Sequence, residues 1–174
     1  MDADQRAAIL TLPEETIART EDVGSPEAIV RAMYEVISGP AEMDRERNWD
    51  RLRSLFLPGA RFILVTWRGA DGAGEEVLRA WDVEGFIEAA KGFYQESAFY
   101  EREVARRVER FGDIAHVFTT YESRVGSEES DPVARGINSV QVVRSGHRWW
   151  IAHLTWDLER ADRPIPEAYL PEVR

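Results

Sequence analysis

The sequence has no cysteine, and this absence excludes disulfide bonds, thiolate nucleophiles and thiolate metal ligands. It also has no run of about 18 apolar residues that would cross a bilayer as a helix. Its first residues, Met1 to Asp4, are acidic and do not form the apolar centre of a secretory signal. We therefore predict a soluble, cytoplasmic protein.

Acidic residues outnumber basic ones, with 32 Asp and Glu against 22 Lys and Arg. The formal net charge is −10 and the isoelectric point is about 4.9, whereas a surface for nucleic acid or anionic lipid requires a stripe of basic residues. Lys91 is the only lysine, and the arginines alternate with aspartate and glutamate, a pattern typical of an ion-paired, solvated surface. The composition thus predicts no nucleic-acid partner and no membrane partner.

The sequence does contain enough apolar material for one globular domain. Its 174 residues are 44% hydrophobic and include six Trp, seven Phe and five Tyr. No phosphate-binding glycine loop, serine nucleophile motif or metal-ligand spacing occurs. We accordingly predict no cofactor, no metal site, and neither nucleotide-dependent nor hydrolase activity.

The apolar pattern divides the chain into three segments. Residues 1–24 carry a weak pattern interrupted by Pro13 and are predicted to form an N-terminal arm. Residues 25–158 are predicted to form the domain. Residues 159–174 contain three prolines, which exclude a regular helix or an inner strand, so an extended C-terminal tail is predicted.

Three helices are predicted within the domain. Ser25-Pro26-Glu27 is a helix start with a capping serine and a proline at the first helical position, and an apolar stripe from Ile29 to Ile37 follows. A short second helix from Trp49 to Phe56 ends at the following proline and glycine. Asp82 caps the third helix, whose stripe extends from Phe86 to Tyr94.

The remaining segments are predicted to be strands, because they are rich in β-branched and aromatic residues and are separated by tight turns. The predicted strands are residues 60–67, 76–81, 99–111, 114–122, 136–143 and 148–157. This order predicts an α+β fold with three helices on one face of a curved, mainly antiparallel sheet. Three helices cannot cover both faces, so the other face is predicted to meet solvent or a second subunit.

This order of elements resembles the nuclear transport factor 2-like superfamily of cone-shaped α+β domains. The likeness covers residues 25–158 and is carried by the segments Ser25 to Ile37, Gly112 to Val117, Arg135 to Val140 and Gly146 to Trp156. Within the superfamily we place the chain among the SnoaL-like proteins of the polyketide cyclase type, many of which are dimeric and of unknown function. The resemblance implies a small-molecule pocket and cofactor-independent acid/base chemistry (cyclisation, isomerisation or dehydration) on a small apolar substrate.

The chain departs from the enzymes of this superfamily at one position. Those enzymes commonly carry an Asp general base near the start of the first strand or on a late strand, but the first strand here opens with Pro58-Gly59-Ala60-Arg61 and has no carboxylate. This difference favours a second hypothesis, a non-catalytic dimeric ligand-binding or accessory protein. The polar residues of the last hairpin favour an enzyme.

The last two strands carry candidate catalytic residues. If Ser145-Gly146 forms a two-residue turn, Asn138 lies opposite His153 on the face beneath the helices. We predict that His153 acts there as a general acid/base, oriented by Asn138 or sharing its proton with Glu122. The alternative is that His153 is a hydrogen-bonded strand residue without a catalytic role. Glu122 faces inward only if Tyr121 faces outward, and both arrangements stay open.

A ligand in this pocket would contact aromatic side chains of the helices and of the first strand. The predicted ligand-binding residues are Tyr34, Trp49, Trp67, Tyr94 and Asn138. Aromatic residues at helical spacing also form ordinary cores, so a filled core is the alternative.

The opposite face of the last strand is too apolar to remain in water. Alternation places Trp150, Leu154 and Trp156 together on it. Burial of one large apolar side chain stabilises a protein by about 2 kcal/mol, so a bare face would forgo several kcal/mol. We therefore predict a homodimer packed sheet against sheet through these residues.

Overall fold

The computed structural model describes residues 10–12, 18–43, 45–68 and 75–171, with the backbone alone described for residues 66–68, 75 and 76. The described helices are α1 (Thr20–Val23), α2 (Pro26–Ile37), α3 (Trp49–Leu55) and α4 (Val83–Tyr94). The strands are β1 (Phe56–Arg68), β2 (Glu75–Trp81), β3 (Phe99–Phe111), β4 (Ile114–Val125), β5 (Ala134–Ser145) and β6 (Arg148–Leu158). None of the described helices is long and apolar enough to span a membrane.

The six strands form one curved sheet in the order β2-β1-β6-β5-β4-β3. Neighbouring strands are antiparallel except β1 and β6, which run parallel. Helix α2 lies against β3, β4 and β6, and α4 lies against β1 and β2, so the helices share one face of the sheet, here called the inner face. The predicted α+β fold is confirmed, and α1, a fourth helix of four residues, lies in the segment 1–24 for which an N-terminal arm was predicted.

The predicted helix starts are formed by side-chain caps. The Ser25 hydroxyl accepts a hydrogen bond from the backbone N–H of Ala28 at 3.1 Å, and the Asp82 carboxylate accepts one from Gly85 at 2.8 Å. At the other end of α2, the buried Arg47 guanidinium donates to a backbone carbonyl of the last turn at 3.0 Å. Both ends of α2 are therefore held in place beneath the sheet.

Strand β1 begins earlier than predicted. Phe56 is the first residue of β1 and pairs with Ile151, whereas the helical stripe had included it. The proline and glycine that follow do not end an element but lie in a bulge between Phe56 and Arg61, where Gly59 has a φ of +81°. The parallel pairing with β6 overrides the local signal for a turn.

The β5–β6 hairpin turns one residue later than predicted. Its two-residue turn is Gly146-His147, so Arg144 pairs with Trp149. Gly146 has a φ of +63°, and glycine adopts this left-handed conformation without the steric cost that other residues meet. In the predicted turn, Ser145-Gly146, the glycine was the second turn residue, whereas in the structure it is the first.

A β-bulge at Ala152 changes the register again. Gln141 pairs with His153 and Asn138 pairs with Trp156, so the predicted opposition of Asn138 and His153 is wrong. Ala152 is the extra residue on β6 and has no partner on β5. Each β6 side chain after it therefore points to the opposite face from the one that simple alternation predicts.

The bulge also divides the residues predicted for the dimer face. Leu154 and Trp156 lie on the inner face, beneath the helices. Trp150 precedes the bulge and lies on the opposite, outer face, where the Arg148 guanidinium stands 3.6 Å from its ring centre and its exposed fraction is 3%. The prediction that all three share one exposed face is therefore wrong.

The C-terminal segment crosses the outer face of the sheet. The Thr120 hydroxyl donates to the backbone carbonyl of Tyr169 at 2.6 Å, and the rings of Tyr169 and Phe118 meet edge to face with centroids 4.9 Å apart. The segment contains a tight turn in which Arg160 and Arg163 pair with each other, and a 3₁₀ turn at Glu167–Tyr169. The chain itself therefore covers part of the face for which solvent or a second subunit was predicted.

Gly136 lies where β5 approaches its neighbours most closely. A Cβ atom there would lie 2.5 Å from the backbone oxygen of Asp157 and 2.5 Å from the Tyr121 hydroxyl. We expect Gly136→Ala to lower the free energy of unfolding by about 1–3 kcal/mol, because the backbone must move to admit the methyl group. Urea denaturation followed by tryptophan fluorescence measures this change.

Gly92→Ala is the matched control. Gly92 is exposed in α4, and a Cβ atom there meets no described atom within 4 Å. The substitution should leave stability unchanged or raise it by up to about 1 kcal/mol, since alanine favours the helix. Equal losses in the two variants would contradict the proposed steric cause.

Candidate functional site

A cavity of about 150 Å³ lies between the inner face of the sheet and helices α2 and α4. Three polar residues, Tyr94, Glu101 and Asn138, are among those that line it. The apolar lining residues are Met33, Ile37, Phe62, Phe86, Phe99, Leu154 and Trp156. A mostly apolar wall with a few converging polar groups is typical of a small-molecule site.

Aromatic rings form one wall of this cavity, here called the inner cavity. Phe62 and Phe86 stack with centroids 4.2 Å apart, and Phe86 meets the Trp156 ring edge to face at 6.4 Å. Trp81 also stacks on Trp156, at 6.1 Å. Rings packed against two others have little rotational freedom, so this wall is preformed.

Glu101 is the carboxyl group of the inner cavity. It lies on β3 opposite Ser123, whose hydroxyl donates to the carboxylate at 3.0 Å. Burial raises the pKa of the Glu101 carboxyl to about 7, while the hydrogen bonds of Ser123 and Asn138 act in the opposite direction by favouring the charged form. Glu101 therefore exchanges between its acid and base forms near neutral pH.

A chain of hydrogen bonds leads from the cavity wall to an ion pair. The Asn138 amide nitrogen donates to the Tyr34 hydroxyl at 2.9 Å, and that hydroxyl is 3.2 Å from the Thr119 hydroxyl. Thr119 donates to the Glu103 carboxylate at 2.9 Å, and Glu103 pairs with Arg106 at 2.5 Å. Burial raises the pKa of the Tyr34 hydroxyl, which therefore keeps its proton.

Tyr94 lines the inner cavity with a ring that is fixed by its core contacts with Trp49 and Arg47. The ring stacks on Trp49 with centroids 6.1 Å apart and lies 3.9 Å from the Arg47 guanidinium. Burial raises the pKa of the Tyr94 hydroxyl, so it is protonated at neutral pH. None of the described residues hydrogen-bonds to this hydroxyl, so its proton is not committed to any of them.

Glu101 also borders a second space. An open cleft of about 380 Å³ lies between α2 and the edge strand β3, and Glu101, Tyr34 and Arg31 are among the residues that line it. The Glu101 side chain thus stands between the inner cavity and this cleft. A proton on Glu101 has a route to solvent that does not cross the inner cavity.

His153, the predicted acid/base, is not in the inner cavity. It lies on the outer face opposite Gln141, and its Nε2 atom is 2.7 Å from the Thr155 hydroxyl. The bulge at Ala152 turns it away from the helices. Its surroundings match the alternative of a hydrogen-bonded strand residue.

Glu122, the predicted partner of His153, also lies on the outer face. Tyr121 is 2% exposed on the inner face, so alternation directs Glu122 outward. There it forms ion pairs with Arg102 at 3.2 Å and Arg124 at 2.8 Å. The structure therefore brings neither predicted catalytic residue to the cavity.

Only some of the predicted ligand-binding residues lie at the inner cavity. Tyr94 and Asn138 line the inner cavity, and Tyr34 touches it through Asn138. Trp49 is 4% exposed and packs behind Tyr94 as part of the core. The Trp67 side chain lies outside the described residues. A ligand-binding role for any of them stays a prediction.

Sequence reasoning missed Glu101, although a signal was present. Glu101 is two residues after Phe99, so both side chains point to the same face of β3. The many charges of this strand concealed the difference between its two faces, and a bulge after Glu103 shifts the alternation further along. A carboxyl group in phase with a buried aromatic residue at the start of a strand was the usable signal.

Comparisons with known proteins give matches at the level of structure. No protein family description matches the sequence, and no curated protein matches it. A Streptomyces avermitilis protein of the NTF2-like family, provisionally named a dehydratase, matches with a TM-score of 0.57 and 13% identity over 80% of this chain and 97% of that chain.

Two further solved structures are similar. A Nostoc punctiforme protein of unknown function with a cystatin-like fold has a TM-score of 0.54 and 10% identity over 78% of this chain and 89% of that chain. A hexachlorocyclohexane dehydrochlorinase has a TM-score of 0.50 and 14% identity over 77% of this chain and 85% of that chain. At such identities the likeness concerns the fold and selects no branch of the superfamily. The chain therefore has the fold of the nuclear transport factor 2-like superfamily, as its sequence predicted.

Proposed function

We propose that the protein is a cofactor-independent enzyme that transfers a proton within a small, largely apolar molecule bound in the inner cavity. The observation that carries this proposal is Glu101, a carboxyl group with a pKa of about 7 at the wall of an apolar cavity. A general base is most effective when its pKa lies near the working pH. Burial has brought Glu101 into that range.

The size of the inner cavity limits the substrate. An apolar cavity of about 150 Å³ holds a molecule of the size of benzene. The reacting part of the substrate is thus a small ring or short chain. Its apolar surface packs on the aromatic wall, and its polar group meets Tyr94, Glu101 or Asn138.

The chemical step follows from the Glu101 carboxyl and the Tyr94 hydroxyl. Ionised Glu101 accepts a proton from a substrate carbon, and the electron pair of the broken C–H bond forms a new double bond. In an elimination, the leaving group departs with its own bonding pair; in an isomerisation, Glu101 returns the proton to another carbon. The neutral Tyr94 hydroxyl donates a hydrogen bond to the oxygen on which negative charge develops.

The similar structures include proteins named as a dehydratase and as a dehydrochlorinase, and these names suggest elimination as the first reaction to test. A SnoaL-like cyclisation is a second possibility within the same proton-transfer chemistry. Ligand binding without catalysis is the other candidate function. It is favoured by Ala60, which is 2% exposed near the start of β1, where enzymes of the superfamily commonly carry an Asp.

Removal of the Glu101 carboxylate tests the proposal. We expect the wild-type protein to catalyse exchange of carbon-bound hydrogen for deuterium in at least one of a panel of small cyclic ketones and β-hydroxy ketones. Glu101→Gln should lower the exchange rate by at least about 100-fold, because the amide cannot accept the proton. Proton NMR in deuterated buffer measures the exchange.

Glu109→Gln is the control, since Glu109 lies exposed on the same strand. It should leave the exchange rate unchanged, as should His153→Asn on the outer face. If the panel binds to the wild-type protein but shows no exchange above buffer, the non-catalytic candidate function replaces the enzyme.

The raised pKa of Glu101 also predicts how stability depends on pH. Between about pH 4.5, the ordinary value, and about pH 7, the folded state holds a proton that the unfolded state has released, so stability falls as the pH rises. Glu101→Gln has no such proton. We expect the wild-type protein to lose stability relative to this variant between pH 5 and pH 8, as measured by urea denaturation. Parallel stability profiles would show that burial does not raise this pKa.

We propose a second copy of the chain as the partner, in contact through the outer face but at residues other than those first predicted. Phe111 and Ile114 pair across the β3–β4 turn, and their exposed fractions are 84% and 58%. Val143 continues the row on β5. A two-fold axis places the same row of each subunit together and removes these side chains from water.

Ile114→Lys should convert the dimer to a monomer, because it places a charge in the contact. Sedimentation velocity at micromolar concentration measures the change. Leu78→Lys is the control, since Leu78 is 66% exposed on β2 at the other edge of the sheet. A wild-type monomer, or a dimer that survives Ile114→Lys, would refute this contact.

A further inference from the structure

The polar groups near Glu101 have committed most of their protons to protein acceptors. The Ser123 hydroxyl donates to Glu101, and the Thr119 hydroxyl donates to Glu103. A hydroxyl group has only one proton to donate. Thr119 therefore acts toward Tyr34 as an acceptor, and the hydrogen bond between them has a fixed direction.

The direction of the whole chain is set at its charged end. The Glu103 carboxylate, paired with Arg106, only accepts hydrogen bonds. The Tyr34 proton must then point to Thr119, so the Tyr34 oxygen is left to accept from Asn138. The side of the Asn138 amide that faces Tyr34 is consequently the nitrogen.

The orientation of Asn138 decides what the inner cavity offers to a ligand. The oxygen and nitrogen of an amide are distinguished by their hydrogen-bond partners, and here the nitrogen donates to Tyr34 and to the Glu101 carboxylate. No described residue donates to the Asn138 oxygen, yet this oxygen is not among the buried polar atoms without a partner. Because Asn138 lines the inner cavity, its oxygen is accessible there as a hydrogen-bond acceptor.

We infer that the substrate of this site carries a hydroxyl group, which donates a hydrogen bond to the amide oxygen of Asn138. The inference rests on the proposed function and specifies its substrate class. A carbonyl group in the same place has no proton to donate. It would displace water from the Asn138 oxygen and leave that buried acceptor unpaired, which costs affinity. Thr119 and Glu103 are positioning residues, because they act through Tyr34 on Asn138.

The test compares two probes of nearly equal size, cyclohexanol and cyclohexanone. Their dissociation constants for the wild-type protein are measured by NMR titration of the indole N–H signals. We expect cyclohexanol to bind about tenfold more tightly than cyclohexanone. Equal affinity, or a preference for the ketone, would overturn the inference.

Variants of the positioning residues test the cause of this preference. Thr119→Val removes the acceptor for the Tyr34 proton without changing the volume of the side chain. Tyr34 is then free to donate to Asn138, and at about pH 6 the protonated Glu101 carboxyl can also donate to it, so the amide can turn its nitrogen to the cavity. The alcohol preference should fall to within about twofold, whereas Thr119→Ser, which keeps the hydroxyl, should retain it. A preference that persists in Thr119→Val would overturn the role of the chain.

Glu103→Gln provides a second route to the same result if Thr119→Val does not fold. The glutamine amide can donate to Thr119, which permits every hydrogen bond of the chain to reverse, and the preference should fall again. If neither probe binds to the wild-type protein, this inference fails and the inner cavity as a ligand site fails with it. If both probes bind equally but Glu101→Gln abolishes deuterium exchange, only the substrate class is wrong.

Discussion

The bulge at Ala152 is the constraint on which the inner cavity depends. Without the extra residue, β6 would direct His153 toward the helices and turn Leu154 and Trp156 outward. With it, Leu154 and Trp156 complete an aromatic and aliphatic wall that also includes Phe62 and Phe86. A single inserted residue thus gives the cavity an apolar wall from β6, where simple alternation would have placed polar side chains. Among the described residues, Glu101 on β3 then supplies the carboxyl group that lines this cavity.

The chemistry of the cavity follows from a balance at Glu101. Burial disfavours its charge, and the hydrogen bonds of Ser123 and Asn138 favour it, with burial the larger effect. The result is a group that is neither permanently ionised nor permanently neutral near pH 7. A cost in stability accompanies this arrangement, since the folded protein must give up a proton that it holds more tightly than the unfolded chain does. Such costs are common at functional sites.

The outer face is divided between two kinds of cover. Tyr169 and its neighbours in the C-terminal segment pack on Phe118 and Thr120 near the middle of β4. The end of the face near the β3–β4 turn, with Phe111 and Ile114, stays exposed in the single chain. The prediction of an uncovered sheet face was therefore correct only for one end. The proline-rich C-terminal segment covers the part of the face around Phe118 and Thr120, by contacts that do not require a long helix or strand.

The amino-acid sequence alone determined the elements and their order. Ser25 and Asp82 mark helix starts by capping chemistry, and alternation with tight turns located the six strands to within a few residues. These signals are local, because capping bonds and side-chain periods involve neighbours in the chain. The position of the turn at Gly146, the bulge at Ala152 and the inward direction of Glu101 were decided only by tertiary structure. Each depends on which face of a strand the helices bury, and a shift of one residue, which costs little locally, reverses every assignment beyond it.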